Sequence, residues 1–448
     1  MNRETKKEIA KLEIWLIQHG EPLPVLSKTT PFRTARLSKE LASRGHHVTY
    51  WCSSLWHHKK ELYCEESREI RIDDYNLCIL HAGKYKRNHS LKRYFHHRKM
   101  AKLFSREARS RKVPDIIIAG LPIHDCAYEA VKYGKENRVP VVVDIRDYWP
   151  DNYLLLFPKR FRWIGRLIFG RDFRITKAAL QNATALIAMM SHMLDWGLRV
   201  YAMRNRSSDD QVFFIGGDEC SFGQAEKLLE FHSKLEVKTQ GRFVVNYIGS
   251  FSYLNHPLVI VEAAKYLNSI GQKDNIVFLL AGSGDYYESC VKAAKGHDNV
   301  VFLGWVDAEE IAVLNSLSSV GVIPSFERVS FPNKAFSYLG GGLPILSSDR
   351  GDLHTLLVKY NAGFYFDIAD PIELGNKVVE VSRLDQVEYS KLRANAKLLF
   401  RDQLSAEEIY RRYADHVEHI AWKYSTERKS KLVQANRVCI DSMRTSVS

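Results

Sequence analysis

Four short stretches in the second half of the chain carry residue types suited to holding a phosphate. They are Gly249-Ser250-Phe251, Gly282-Ser283-Gly284, Gly304-Trp305-Val306 and Ser330-Phe331-Pro332-Asn333-Lys334. Glycine lets the backbone approach a ligand, and open α/β sheets bind ligands at the carboxyl ends of their strands. A tight strand-to-helix turn explains any one of these glycines equally well. Four such points in succession suggest a nucleotide-diphosphate site. Lys334 stands at a helix start, where the dipole disfavours a cation and a bound phosphate would reverse the cost. A solvated surface lysine is the plain alternative. In the first half, His19, Gly20 and Glu21 follow a strand, so His19 is a candidate general base or a hydrogen-bonded structural histidine. The doublets His57-His58 and His96-His97 read as members of basic loops. No D-x-D run and no His/Cys set with metal-like spacing occurs, so no metal is expected.

The elements that must position these residues alternate regularly. Strand-like runs are IWLIQ (14–18), HHVTYWC (46–52), DIIIAG (115–120), VPVVVDIRD (139–147) and ALIAMM (185–190), with helical stretches at 31–45 and 127–137. The second half repeats the plan: strands at 242–250, 275–285, 299–306, 320–325 and 343–348, and helices at 257–271, 307–317 (Asp307 as cap) and 333–342. Strands separated by helices predict parallel, doubly wound sheets. The expected fold class is α/β, with two Rossmann-like domains facing across a cleft and a C-terminal helix returning to the first. The boundaries read as 1–205, 206–403, a crossover helix at 404–424 and a flexible tail at 425–448, with the join across 202–222.

The 448 residues include 65 Lys/Arg and 52 Asp/Glu, a formal net charge of +13. Residues 1–200 carry 37 cations against 21 acids, and residues 201–448 carry 28 against 31. A basic half beside a near-neutral half points to an anionic partner. The stretch 84–112 holds twelve Lys/Arg and one acid, interleaved with aromatics, and 154–174 mixes six Lys/Arg with Phe, Trp, Leu and Ile. Lys92, Arg93, Arg98, Lys99, Arg160, Arg162 and Trp163 are therefore candidate contacts to an anionic membrane surface. A solvated helix face is the bland alternative. No nucleic-acid-binding motif accompanies the charge, so no nucleic acid is expected. The seven cysteines lack any C-x-x-C pair. With no signal peptide or spanning segment visible, that predicts reduced thiols in a cytoplasmic protein.

The run PNKAFSYLGGGLPILSSDRGDLHTLL, preceded by IGSF, LAGSGDYYES and VVFLGWVDAEEI, resembles the nucleotide-sugar half of GT-B glycosyltransferases, with family 4 the nearest match. In the first half, LSKELASRGHHVTYWCS resembles that family's first helix and second strand, and VVVDIRDYWPD is similar to the acceptor-side strand end of bacterial polysaccharide and O-antigen transferases. The resemblance covers about residues 12–424. It implies a UDP- or GDP-sugar donor, no cofactor, and a retaining transfer to a polyprenyl-diphosphate-linked saccharide at the inner face of the plasma membrane. By position it places Gly249, Ser250, Gly282, Ser283, Gly284, Trp305, Val306, Phe331, Pro332, Asn333, Lys334 and Ser337 around the donor. Arg146, Asp147 and Lys334 fall at the reacting centre. On the acceptor side are His19, Lys28, Arg33, Tyr148 and Trp149.

The chain also departs from the family pattern. Val329 and Ser337 stand where the family has two glutamates, Ser250 replaces an Arg, and His256 lies near a usual Lys. Lys28-Thr29 replaces a Gly-Gly pair, and Arg146 a His. Lys28, Arg33 or His256 could restore part of the missing positive charge. A second reading stays open: a catalytically weak or inactive homologue acting as a scaffold subunit of a membrane biosynthetic complex. A third is a non-hydrolysing sugar-nucleotide epimerase.

Overall fold

The computed structural model describes residues 11–24, 31–87, 90–218, 225–326 and 331–445. It divides into two compact units, Met1–Phe213 with Tyr410–Ser448, and Phe214–Ile409.

The first unit contains β1 (Glu13–Ile17), β2 (His47–Ser53), β3 (Leu55–Trp56), β4 (Glu61–Leu62), β5 (Arg68–Ile72), β6 (Tyr75–Leu80), β7 (Ile116–Leu121), β8 (Val141–Ile145), β9 (Ala185–Ala188) and β10 (Gln211–Val212). Apart from the small β3–β4 ribbon they form one sheet, ordered β10-β9-β8-β7-β1-β2-β6-β5, parallel throughout except for β5 on β6. The winding reverses between β1 and β7, the switch point where such sheets bind ligands. β7 (IIIAGL) and β8 (VVVDI) are buried along their whole length. That is the signature of parallel strands covered by helices on both faces.

The second unit contains β11 (Phe243–Ile248), β12 (Ile276–Ala281), β13 (Val300–Gly304), β14 (Val320–Ile323), β15 (Ile345–Ser347) and β16 (Gly363–Tyr365). Their order, β13-β12-β11-β14-β15-β16, is wholly parallel and repeats the doubly wound plan, with its switch point between β11 and β14. Alternate residues of β11 feed two cores. Val244 and Ile248 pack on one face, Val245 and Tyr247 on the other. Helix Ala308–Leu317 begins at Asp307, which forms a capping box with Glu310.

The strands and helices expected from the sequence fall within a few residues of those observed. Further elements lie beyond those, among them β5, β6 and the helix Leu91–Ala108, which lies inside the basic stretch. The last helix runs Ala406–Thr445, continuing through the segment read as a tail.

Candidate functional site

In the second unit, the carboxyl ends of β11 and β12 and the helix Lys334–Gly340 bring Gly249, Gly282 and Lys334 together. The Lys334 ammonium lies directly over Gly249: a Cβ built there would sit 2.7 Å from Nζ. A side chain there would displace the ammonium, and Gly249 also has a φ of +154°. The ammonium stands 4.4 Å from the centre of the Tyr247 ring. It is buried and makes no hydrogen bond among the described residues. A ring face offsets roughly 1–2 kcal/mol of the desolvation of a cation, against several kcal/mol for burying it. Burial accordingly pulls the Lys334 pKa down to about 7. The helix has only seven residues, so the physical tension at Lys334 comes from desolvation more than from the helix dipole. At the β11–β14 switch point the chain thus holds a buried amine without a hydrogen-bond partner among the described residues.

The remaining donor-side residues vary in placement. Gly282 packs against the neighbouring strand end, since a Cβ there would meet the Gly249 carbonyl oxygen at 1.8 Å. Ser283 and Gly284 are exposed beside it. Trp305 projects from the end of β13 with 73% of its surface exposed, whereas Val306 is 7% exposed and packs in the core. Val306 thus serves packing and presents no side chain to a base. Phe331 is held between the rings of Phe214 and Phe336, with Pro332 half-buried and Asn333 exposed next to it. Ser337 Oγ accepts from Asn315 Nδ2 at 2.7 Å, and Asn315 Oδ1 accepts from Asn246. The hydroxyl standing at the family's Glu position is therefore tied into an internal chain. Ser250 Oγ accepts from Asn255. Val329 and Ser330 lie outside the described residues.

In the first unit, Asp144 at the end of β8 is wholly buried between two guanidinium groups. Arg33 donates to both its oxygens, at 2.9 and 3.1 Å, and Arg146 donates to one at 2.9 Å. Arg33 also donates to the Phe213 carbonyl, and Arg146 pairs closely with Glu21. The two cations hold the Asp144 carboxyl below its ordinary range despite burial. Asp147 accepts from the Tyr148 amide, Trp149 Nε1 and Asn152 Nδ2, all within 2.9 Å. Asp144 and Glu21 thus match the charges of Arg33 and Arg146 locally, and Asp147 ties its own loop together through neutral donors. Tyr148 bonds His192, and Trp149 lies under Arg93. Lys28 lies outside the described residues.

His19 joins a group that the sequence reading missed. His96 and His97 are buried on the helix Leu91–Ala108, not in a loop, and both rings contact His19, at 5.7 and 4.9 Å between centroids. Among the described residues, one set could hold a metal by geometry: His124, Asp125 and Asp172, whose ligand atoms lie within 4.8 Å of one another. Arg171 already donates to Asp125 at 2.7 Å and to Asp172 at 3.3 Å, so these carboxylates have a counter-ion. Of the basic-surface candidates, Lys92, Lys99, Arg160 and Trp163 are exposed, while Arg93, Arg98 and Arg162 are half-buried. No described helix is long and apolar enough to cross a membrane.

Residues 242–383, which contain Gly249, Gly282, Trp305 and Lys334, match the family described as Glycosyl transferases group 1. No curated protein matches the chain. Solved structures share its fold over nearly its whole length. Sucrose-phosphate synthase from Thermosynechococcus elongatus has a TM-score of 0.62 at 18% identity, covering 92% of this chain and 99% of its own. Anabaena HepE, solved with UDP, has a TM-score of 0.58 at 14% identity, covering 91% and 99%. A glycosyltransferase from Rickettsia africae has a TM-score of 0.61 at 15% identity, covering 92% and 99%. The class follows from domain and fold together: a glycosyltransferase of GT-B architecture.

Proposed function

We propose that this glycosyltransferase takes its sugar from a nucleotide-sugar donor bound in the second unit and passes it to an acceptor carried by the first. The observation that carries the reading is Lys334, a buried ammonium without a hydrogen-bond partner at the β11–β14 switch point. A diphosphate there would supply the missing counter-charge. As the sugar–phosphate bond breaks, negative charge grows on the departing nucleoside diphosphate. A fixed, desolvated cation stabilises that charge more than it stabilises the ground state. HepE, which shares the fold, has been solved with UDP and with UDP-glucose, which supports a uridine donor.

The finer reading follows the sequence resemblance: a family 4-like enzyme, retaining, acting on a polyprenyl-diphosphate-linked saccharide in surface polysaccharide assembly. It would work from the cytoplasmic face as a peripheral membrane protein. The basic first half and the exposed apolar residues of 155–168 support this placement.

Calorimetric titration of UDP- and GDP-sugars, with nucleoside diphosphate release as the activity readout, tests the reading. Lys334→Met keeps length and apolar packing while removing charge, and is expected to weaken donor binding at least tenfold with the fold intact. Unchanged affinity removes the phosphate assignment. A specific observation keeps the scaffold reading as the rival: the Ser337 hydroxyl is occupied by Asn315. Failure of every nucleotide to bind the wild-type protein would favour that rival.

A further inference from the structure

The first unit gathers histidines from separate elements beyond the carboxyl ends of its central strands. His19 directly follows β1, and His57 follows β3. His96 and His97 come from the helix Leu91–Ala108. The rings of His19, His96 and His97 lie 4.9–6.2 Å apart between centroids. Tyr85 packs 5.1 Å from His96 and bonds His57 Nδ1 at 2.5 Å. Arg93 Nε donates to His97 at 3.4 Å, and the Lys60 ammonium sits 5.1 Å from the centre of the Tyr85 ring.

Two features set this cluster apart from an ordinary core. First, a buried ring nitrogen is left without a partner, His19 Nε2. Folded proteins rarely leave buried polar atoms unmatched unless a ligand or water meets them. Second, the charged neighbours acting on these rings are cations: Lys60, Arg93 and Lys99. Burial first, and these cations second, hold all four imidazoles neutral at pH 7. His57, Lys60 and Arg93 are half-buried, while His19, His96 and His97 are deep. The arrangement has a half-buried cationic rim and an inner set of convertible donors.

We propose that His19, His57, His96 and His97, with Lys60 and Arg93 at the rim, form a phosphoryl-binding site in the first unit that takes the phosphate or diphosphate group of the acceptor. A tetrahedral dianion accepts hydrogen bonds from several directions and supplies the charge that lets the imidazoles take up protons and become donors. The proposal rests on the reading that the first unit receives the acceptor, and it narrows the acceptor to phosphorylated molecules. A soluble sugar phosphate and a lipid-linked diphosphate share this chemistry.

The test is calorimetric titration of the full-length protein with inorganic diphosphate, with UDP saturating so that the donor site is filled. Wild type is expected to bind, more tightly at pH 6 than at pH 8, with uptake of protons. The double variant His19→Gln/His97→Gln is expected to lose at least tenfold in diphosphate affinity while its UDP affinity stays unchanged. Because both residues are buried, the rim variant Lys60→Gln serves as a second probe, with a severalfold loss expected. Parallel titrations with a hexose phosphate and with polyprenyl diphosphate in detergent micelles distinguish the two sources. Binding of either through the same histidines supports the site. Diphosphate binding that survives the double variant and Lys60→Gln, or no binding at millimolar concentration, overturns it. Loss of UDP binding by Lys334→Met bears only on the donor reading, so failure of one does not imply failure of the other.

Discussion

Lys334 titrates within reach of neutral pH because its ammonium is desolvated and unpaired. Two consequences have definite signs. An incoming diphosphate favours the charged form, so donor binding takes up a proton above pH 7, and affinity falls as pH rises through and beyond about 7. Calorimetry in buffers of different ionisation enthalpy reads the uptake directly, and Lys334→Met should abolish it. In the free protein the unfolded chain binds this proton more tightly than the folded one, so the native state gains stability as pH rises above about 7 toward the ordinary lysine value. Each tenfold difference in proton affinity between the two states is worth about 1.4 kcal/mol. Wild type should therefore gain ~2 kcal/mol relative to Lys334→Met between about pH 7 and pH 9 in urea unfolding. Equal pH dependence of the two proteins would mean that the amine is solvated. The residue itself was legible in the sequence, since Pro332-Asn333-Lys334 opens a helix among glycine turns. Its burial over Gly249 was not legible, because the contact spans 85 positions and depends on where two strand ends meet. The same holds for Arg146: its type suggested chemistry, and only the fold reveals that Asp144 and Glu21 already match its charge.

At the scale of elements, the alternation of apolar runs and amphipathic stretches was enough to read most strands, because buried parallel strands are uniformly apolar. It failed where function-like residues occupy core positions. The helix Leu91–Ala108 buries His96, His97, Met100, Ala101, Phe104 and Ala108, a regular stripe that two histidines and a surrounding mass of cations conceal. The glycine turns were read as ligand contacts or steric necessities with equal weight, and for Gly282 the structure supplies the steric reason. Gly282→Ala places a Cβ against the Gly249 carbonyl and asks alanine to hold a φ of +136°. It should destabilise the second unit by about 2–4 kcal/mol, read as a lower unfolding midpoint even without ligand. A silent substitution would show that the strand ends are looser than described. Asp144→Asn should cost about 3–5 kcal/mol, because it removes the shared counter-charge of two buried guanidinium groups. Denaturant unfolding measures that loss, which is expected with little change in nucleotide affinity if the cluster serves architecture.

For the whole molecule, the charge asymmetry of the sequence acquires a surface. Between Leu155 and Ile168 the chain exposes Leu155, Leu156, Trp163, Leu167 and Ile168, each more than half accessible, among the exposed cations Lys159, Arg160 and Arg166. Single exposed apolar residues are ordinary, but five within one short stretch form a concentration that a partner surface would cover. Together with cations they suit the interface of an anionic bilayer, where each charge contributes about 1 kcal/mol. The earlier basic stretch is a poorer candidate for such contact, since Arg93 is half-buried against Trp149 and His97. Charge reversal there would disturb the fold along with any binding. The discriminating variant is Trp163→Ser/Leu167→Ser/Ile168→Ser, which changes exposed side chains only. In flotation with phosphatidylglycerol-rich vesicles it should lose at least tenfold in partitioning, while nucleotide binding in solution stays as in wild type. Salt separates the two contributions. Raising ionic strength screens the cations and leaves the apolar term, so wild type should weaken with salt but remain partly bound, and the triple variant should release completely. Vesicle binding that is indifferent to these three side chains would place any membrane contact elsewhere on the basic half.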